Sequence, residues 1–355
     1  MNRIVLTGGG TAGHVTPNLA LIPELKKQGW EIHYVGTEKG IEKQLISGVE
    51  GVTYHSVKTG KLRRYFDLKN LTDPFRVIAG VGQSVALISK LKPRIIFSKG
   101  GFVSVPVVIG GWLNRVPVIV HESDITPGLA NKIATRFAKY VCATFPETVN
   151  HFKSGKAVHT GTPIRPELFK GVRERGLSLC GFKDDKPVIL VMGGSQGSVA
   201  INKAIQENLP RLSRRFYIAH ICGKNNINEA LIGHPDYMQF EYVDAELPHL
   251  MAMADLVVSR AGANSIFEFL ALKIPALLIP LPLNASRGDQ ILNARSFEKQ
   301  GFAKVLMQED LTDQTLYESI MSLHLNRGKY VEAMNNSNIG SGTEIILELI
   351  NKAAK

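Results

Sequence analysis

Two glycine-rich stretches and the polar residues around them are the parts of this chain equipped for chemistry. The first runs Thr7-Gly8-Gly9-Gly10-Thr11-Ala12-Gly13-His14, the second Met192-Gly193-Gly194-Ser195-Gln196-Gly197-Ser198. Each follows an apolar run, Ile4-Val5-Leu6 or Ile189-Leu190-Val191, and each leads into a stretch with helical spacing. Glycine after a strand lets the backbone turn sharply and approach a ligand, and the next helix N-terminus offers free N–H groups, which suits phosphate. Gly8, Gly10 and Gly13 match the spacing of a dinucleotide fingerprint, but that fingerprint also wants an acidic residue ending the second strand, where Glu38 fits poorly. His14 sets a titratable imidazole beside the turn, as a catalytic base or as a histidine bonded to backbone.

Further groups follow the same logic. The run from Ser259-Arg260-Ala261-Gly262 through Ala263, Asn264, Ser265, Ile266 and Phe267 to Glu268 again passes from strand to small-residue turn to helix. Glu268 lies three residues after Ser265, the spacing of a capping box; near a nucleotide it would instead accept from both ribose hydroxyls. The polar loop from Asn284 to Gln290 follows the strand-like Ala276-Leu277-Leu278-Ile279, a position where open α/β sheets bind ligands. His121-Glu122 closes another strand, and Glu122 reads equally as a base or as an acceptor for backbone N–H groups.

The elements that must position these groups alternate. Residues 3–7, 31–35, 53–57, 94–98 and 117–121 have strand character, as do 188–192, 217–221, 238–242, 256–259 and 276–279, with amphipathic stretches between most of them. Such alternation implies parallel βαβ units with helices on both sheet faces. A length of 355 residues favours two domains at about 150 residues each, and the Pro- and Gly-rich run Gly161-Thr162-Pro163-Ile164-Arg165-Pro166 supplies the linker, at 162–168. The expected architecture is therefore α/β, with two Rossmann-like domains facing across a cleft. Three isolated cysteines, 44% hydrophobic and 21% charged residues exclude a disulfide scaffold, a readable zinc site and long disorder. Met1-Asn2-Arg3 leads straight into a strand and no apolar run reaches the ~18 residues of a membrane span, so a cytoplasmic protein is expected.

In order along the chain, Thr7 to Pro17, Lys99-Gly100-Gly101-Phe102, His121-Glu122-Ser123-Asp124, Gly161 to Arg165, Gly193 to Gly197, Arg260 to Glu268 and Asp289-Gln290 to Asn293-Ala294 resemble the MurG family of peptidoglycan N-acetylglucosaminyltransferases. The match spans about residues 1–300. It implies a GT-B glycosyltransferase: an acceptor- and membrane-facing domain over residues 1–165, completed by a C-terminal helix at 343–355, and a UDP-GlcNAc domain over 166–342. The implied reaction moves GlcNAc from UDP-GlcNAc, with inversion, to the C4 hydroxyl of MurNAc-pentapeptide on undecaprenyl diphosphate, without cofactor or metal. By resemblance Thr11, Ala12 and Gly13 lie near the donor's diphosphate and sugar, Arg165 and Ser195 at the diphosphate, and Val243 at uracil. Ala263, Asn264, Ser265, Ile266, Phe267 and Glu268 would line the nucleotide, with Glu268 on the ribose and Gln290 on the sugar. Two positions depart from the family pattern: Asp124 stands where many members have an Asn that touches GlcNAc, and Phe102 where many have Tyr. His14 is the expected general base, with Glu122 second.

Charge distribution adds a partner. Residues 1–165 carry 22 basic and 10 acidic side chains, residues 166–355 carry 20 and 21. Residues 58–76 hold six cations (Lys58, Lys61, Arg63, Arg64, Lys69, Arg76) against Asp67 and Asp73, interleaved with Leu, Tyr and Phe. That mixture suits an anionic membrane surface rather than nucleic acid, and places the protein peripherally on the cytoplasmic face of the cell membrane. A UDP-GlcNAc 2-epimerase-like enzyme of the same plan and a non-catalytic nucleotide-sugar-binding protein are the competing functions.

Overall fold

The computed structural model describes residues 2–60, 69–152, 155–194, 197–337 and 342–355, with side chains from residue 75 onward in the second stretch. The chain divides into two compact units, Met1–Arg165 with Ser341–Lys355, and Pro166–Gly340. The division falls inside the Pro- and Gly-rich junction.

The first unit is a seven-stranded sheet of β1 (Asn2–Thr7), β2 (Trp30–Gly36), β3 (Val52–Ser56), β4 (Ile95–Ser98), β5 (Val118–Glu122), β6 (Tyr140–Ala143) and β7 (Ala157–His159), in the order β3-β2-β1-β4-β5-β6-β7. Every pairing is parallel. Because side chains alternate across a strand, the apolar runs divide between two cores. Ile4, Leu6, Ile95 and Phe97 join one, which the helix Thr343–Ala353 closes with Ile346, Leu347 and Ile350. Val5, Ile96, Val118 and Val120 join the other, under Ile88, Val107 and Val108. Burial on both faces explains why these strands carry so little charge.

The second unit repeats the plan with β8 (Val188–Met192), β9 (Tyr217–Ile221), β10 (Tyr237–Phe240), β11 (Leu256–Ser259), β12 (Ala276–Leu278) and β13 (Ala303–Val305), ordered β10-β9-β8-β11-β12-β13 and again all parallel. In both sheets the order reverses beside the first strand, between β1 and β4 and between β8 and β11. Crevices for ligands open at the carboxyl ends of strands at such a reversal, and both glycine turns lie there. The sequence-based strand assignment misses β6, β7 and β13, each three or four residues long and at or near a sheet edge. Among the described residues no helix is long and apolar enough to cross a membrane.

The helix Thr343–Ala353 follows the second unit in sequence yet belongs to the core of the first. Ile350→Ala should therefore cost about 2–5 kcal/mol. The check is thermal denaturation with hydrogen exchange, and lost protection should fall within residues 1–165 rather than 166–340.

Candidate active site

In the first unit, buried polar groups hold the turn after β1 in shape. The Tyr34 hydroxyl donates to the Gly8 carbonyl at 2.6 Å, and Asn18 Nδ2 donates to the Thr7 carbonyl at 3.3 Å. The Glu42 carboxylate, buried on the short helix Ile41–Ile46, accepts from Gly10 N at 3.2 Å and from Thr37 N at 2.9 Å. Thr37 Oγ1 donates to it as well. The turn passes through the 3₁₀ segment Ala12–His14 into the helix Thr16–Lys27, which carries Pro17 in its first turn. His14 is half-buried. The Gly101 backbone lies against it: a Cβ there would stand 2.2 Å from the Gly9 carbonyl oxygen and 3.1 Å from His14 Cδ2, and φ is +78°. Only glycine fits. The Phe102 ring packs on Gly10.

Beside that turn, β4 and β5 end in a buried charged cluster. Lys99, only 1% exposed, has Nζ 2.6 Å from His121 Nδ1 and also donates to Ser123 Oγ. His121 Nε2 lies 3.0 Å from the Gly161 carbonyl, so this nitrogen carries the proton and Nδ1 accepts. Burial, reinforced by the Lys99 charge, holds His121 well below the ordinary histidine range and therefore neutral. Burial also brings Lys99 down to about 7, against the pull of Glu122, Asp124 and Cys142. Glu122 is raised by burial and by the neighbouring Asp124, partly offset by its donors. Those donors number four: Ser123 N at 2.8 Å and Asp124 N at 3.0 Å on Oε1, Gly128 N at 3.1 Å and Asn131 Nδ2 at 2.8 Å on Oε2. Glu122 thus shapes the loop that carries Asp124.

In the second unit the turn after β8 leads into the helix Val199–Leu212, capped by Ser198, whose Oγ accepts from Ile201 N at 3.4 Å. At Gly197, with φ of +76°, a Cβ would lie 1.9 Å from the Cys222 carbonyl oxygen. Arg260, at the end of β11, is buried beneath the turn. Its Nη2 donates to Ser198 Oγ and Gln308 Oε1, both at 2.7 Å, and its Nη1 to the carbonyls of Ile279 at 3.0 Å and Pro280 at 3.2 Å. A cavity of about 480 Å³ opens here, lined by Gly194, Ser198, Arg260, Ser265, Gln290 and Gln308 among others. Leu281 N donates to Gln290 Oε1 at 3.1 Å, which leaves the amide NH₂ as the donor end. A helix N-terminus, a buried cation and an amide thus meet at this cavity, a set of charges that suits an anion with a polar flank.

Family models match both units: residues 4–143 match the glycosyltransferase family 28 N-terminal domain and residues 188–349 its C-terminal domain. The chain belongs to glycosyltransferase family 28. Within the family it is 57% identical, over 99% of its own length and 98% of the relative's, to a protein of Clostridium tetani named UDP-N-acetylglucosamine--N-acetylmuramyl-(pentapeptide) pyrophosphoryl-undecaprenol N-acetylglucosamine transferase. The crystal structure of Acinetobacter baumannii MurG superposes with a TM-score of 0.79 at 26% identity, over 99% of this chain and 100% of that one. A UDP-GlcNAc 2-epimerase from Neisseria meningitidis, bound to UDP-GlcNAc, superposes at 0.72 with 15% identity over 99% and 100%, a likeness of fold. The expected GT-B class and glycosyltransferase activity are those of family 28.

The sequence-derived site residues of this family 28 glycosyltransferase separate by position. Thr11, Ala12, Gly13 and His14 follow β1 and Asp124 follows β5, all at the carboxyl edge of the first sheet. Arg165 ends the first unit, half-buried. Ser265 and Gln290 line the cavity of the second, while Val243 and Glu268 do not. Ala263 and Asn264 open the helix Ala263–Leu272, whose N-cap is Gly262. Ser265 is therefore inside the helix, which removes the capping-box account of Glu268. Ile266 and Phe267 follow in the same helix with buried side chains, the Phe267 ring packing on Phe297 at 5.2 Å. Ser195 lies outside the described residues, as do Lys61, Arg63 and Arg64. Sequence reasoning passed over Glu42, Lys99, Asn131 and Arg260 as working residues. Arg260 and Lys99 had a signal, a lone cation among apolar and small residues at a strand end; Glu42 and Asn131 had none.

Glu122 supplies a direct check. Glu122→Gln turns an NH₂ group toward donors that now face a carboxylate oxygen, so the melting temperature should fall by the equivalent of about 1–3 kcal/mol. A normal melting temperature with kcat reduced about 10²-fold would instead mark Glu122 as the base.

Proposed function

We propose that this protein transfers N-acetylglucosamine from UDP-GlcNAc to the C4 hydroxyl of undecaprenyl-diphospho-MurNAc-pentapeptide, with inversion, in peptidoglycan synthesis. The observation that carries this reading is the 57% identity, along nearly the whole of both chains, to a transferase bearing that name. The two glycine turns support a division of labour. In the first, Glu42 occupies the Gly10 N–H and adds negative charge beneath the turn, which disfavours phosphate despite the fingerprint spacing. In the second, Arg260 places positive charge beneath the turn, and Gly193, Gly194, Gly197 and Ser198 line the cavity. The UDP diphosphate is accordingly assigned to residues 193–198, with Ser195 and Arg165 as further donors. Gln290 takes the sugar through its NH₂ group, Glu268 the ribose and Val243, through its backbone, uracil. Thr11, Ala12, Gly13 and Asp124 are assigned to sugar groups.

Chemistry follows from these charges. The acceptor C4 oxygen bonds to C1 of GlcNAc as the C1–O bond to UDP breaks, and the electron pair leaves on the β-phosphate, which the second turn and Arg260 stabilise. The C4 hydroxyl proton needs an acceptor. Glu122 already accepts four hydrogen bonds, and His121 Nδ1 accepts from Lys99, so the half-buried His14 is the base. His14→Ala should lower kcat about 10²-fold or more with UDP binding near normal. The deciding assay measures UDP released from UDP-GlcNAc with and without a prenyl-diphosphate MurNAc acceptor. Acceptor-dependent release supports the transferase, and ManNAc formed without acceptor would replace it by the epimerase.

The lipid acceptor motivates a peripheral position on the cytoplasmic face of the membrane. Phe75 and Ile78 on the helix Lys69–Leu91, and Trp112 and Leu113 at the end of the helix Ser104–Leu113, are more than half exposed, with Arg76 and Arg115 nearby in sequence. Binding to vesicles rich in anionic lipid should weaken with salt and should fall further in Phe75→Ser/Ile78→Ser. Failure of the wild-type protein to co-sediment at low salt would remove this face from the proposal.

A further inference from the structure

The carbonyl of Cys222, just past the end of β9, is engaged by two groups of the second glycine turn and its helix. One is Gly197, at a φ of +76° and too close to that carbonyl to carry a Cβ. The other is Asn202, whose Nδ2 donates to the same oxygen at 2.8 Å. Asn202 lies near the start of the helix Val199–Leu212, its own N–H bonded to the Ser198 carbonyl at 2.8 Å. A carbonyl only accepts, so the Nδ2 end of the amide faces Cys222 and Oδ1 faces His220 Nε2, 3.0 Å away. That nitrogen therefore carries the hydrogen. Burial holds His220 down to about 3, so the ring is neutral and Nδ1 accepts from the Tyr237 hydroxyl at 2.8 Å. The buried chain from Tyr237 through His220 and Asn202 to Cys222 thus runs in a single direction, from β10 across β9 to the turn.

We propose that Asn202 is a positioning residue for the diphosphate end of the donor, with His220 and Tyr237 fixing the orientation of its amide. A buried amide with no second partner could turn either end toward Cys222; the His220 N–H removes that choice. The Cys222 carbonyl is then held where Gly197 rests on it, and Gly197 and Ser198, both on the cavity wall, keep their place. Arg260 fixes the Ser198 side chain, whereas Asn202 fixes the backbone beside it. Donors already in place bind an anion without first being reorganised. The proposal rests on the assignment of the diphosphate to this turn, but the hold on the turn can be measured without ligand.

The test compares binding of UDP and of uridine, which lacks the diphosphate, to the full-length protein. Asn202→Leu keeps the volume and removes both hydrogen bonds; its Kd for UDP should rise about tenfold, the effect of one lost buried hydrogen bond, while that for uridine stays within about twofold. His220→Leu should raise the UDP Kd about threefold, and His220→Gln, whose amide can still donate to Asn202, should restore it. Asn208→Leu is the control: it removes another buried amide of the same helix, bonded to the Ala204 carbonyl at 3.1 Å, and should lower the melting temperature without changing the preference for UDP over uridine. Equal losses for UDP and uridine in Asn202→Leu, the same loss of preference in Asn208→Leu, or no rescue by His220→Gln would each overturn the proposal. If Asn202→Leu fails to fold, the two His220 variants still decide. Wild-type protein that binds UDP no more tightly than uridine would remove the diphosphate from this turn. The hold on the turn is then judged by hydrogen exchange without ligand: amides of residues 197–202 should exchange at least about tenfold faster in Asn202→Leu, and unchanged exchange would overturn it.

Discussion

One buried carboxylate holds the carboxyl edge of the first sheet together. Glu42 fastens the backbone of the glycine turn at Gly10 to the end of β2 at Thr37. Against that turn rest Gly101, Phe102 and, through Gly101, the ring of His14. A shift of the turn would press first on Gly101, where backbone meets the Gly9 carbonyl, and then on the two rings packed beside it. Removing the carboxylate would take away the shared acceptor of the Gly10 and Thr37 N–H groups and with it the tie between the turn and the end of β2.

The second unit solves the same geometric problem with the opposite charge. Arg260 joins the cap of one helix, the loop bearing Gln308 and the end of β12, donating where Glu42 accepts. Two sheets of nearly the same topology thereby acquire electrostatically different turns. The fold is shared by the two turns, and what differs is the charge of the buried residue beneath each one.

This is also where legibility from sequence ended. Strand alternation, the two glycine turns and the linker could be read because each depends on local composition: β8, an apolar run bounded by Pro187 and Gly193, falls on the residues expected, as do β9 and β11. Ser265 and Gln290, which the family resemblance singles out, line the cavity of the second unit. Ile266 and Phe267 show what a motif leaves open: it names consecutive residues, whereas a helix sends consecutive side chains in directions about a quarter-turn or more apart, here into the core. Glu42 could not be found at all. Its partner Gly10 is 32 residues away, and nothing in the run Ile41-Glu42-Lys43 distinguishes a buried acceptor from a solvated surface charge. Glu122 was legible as important but not in kind, since its four donors come from the fold of the loop around it.

The return of the helix Thr343–Ala353 to the first sheet has a bearing on biosynthesis. A ribosome makes nearly all of the first unit, then the entire second unit, and only then the helix that seals the first hydrophobic core. The later unit can close while the earlier one still exposes Ile4, Leu6 and Phe97 on one face. Domains usually mature in the order in which they are made; here that order is inverted, and the half-finished sheet is the species a chaperone would have to shield.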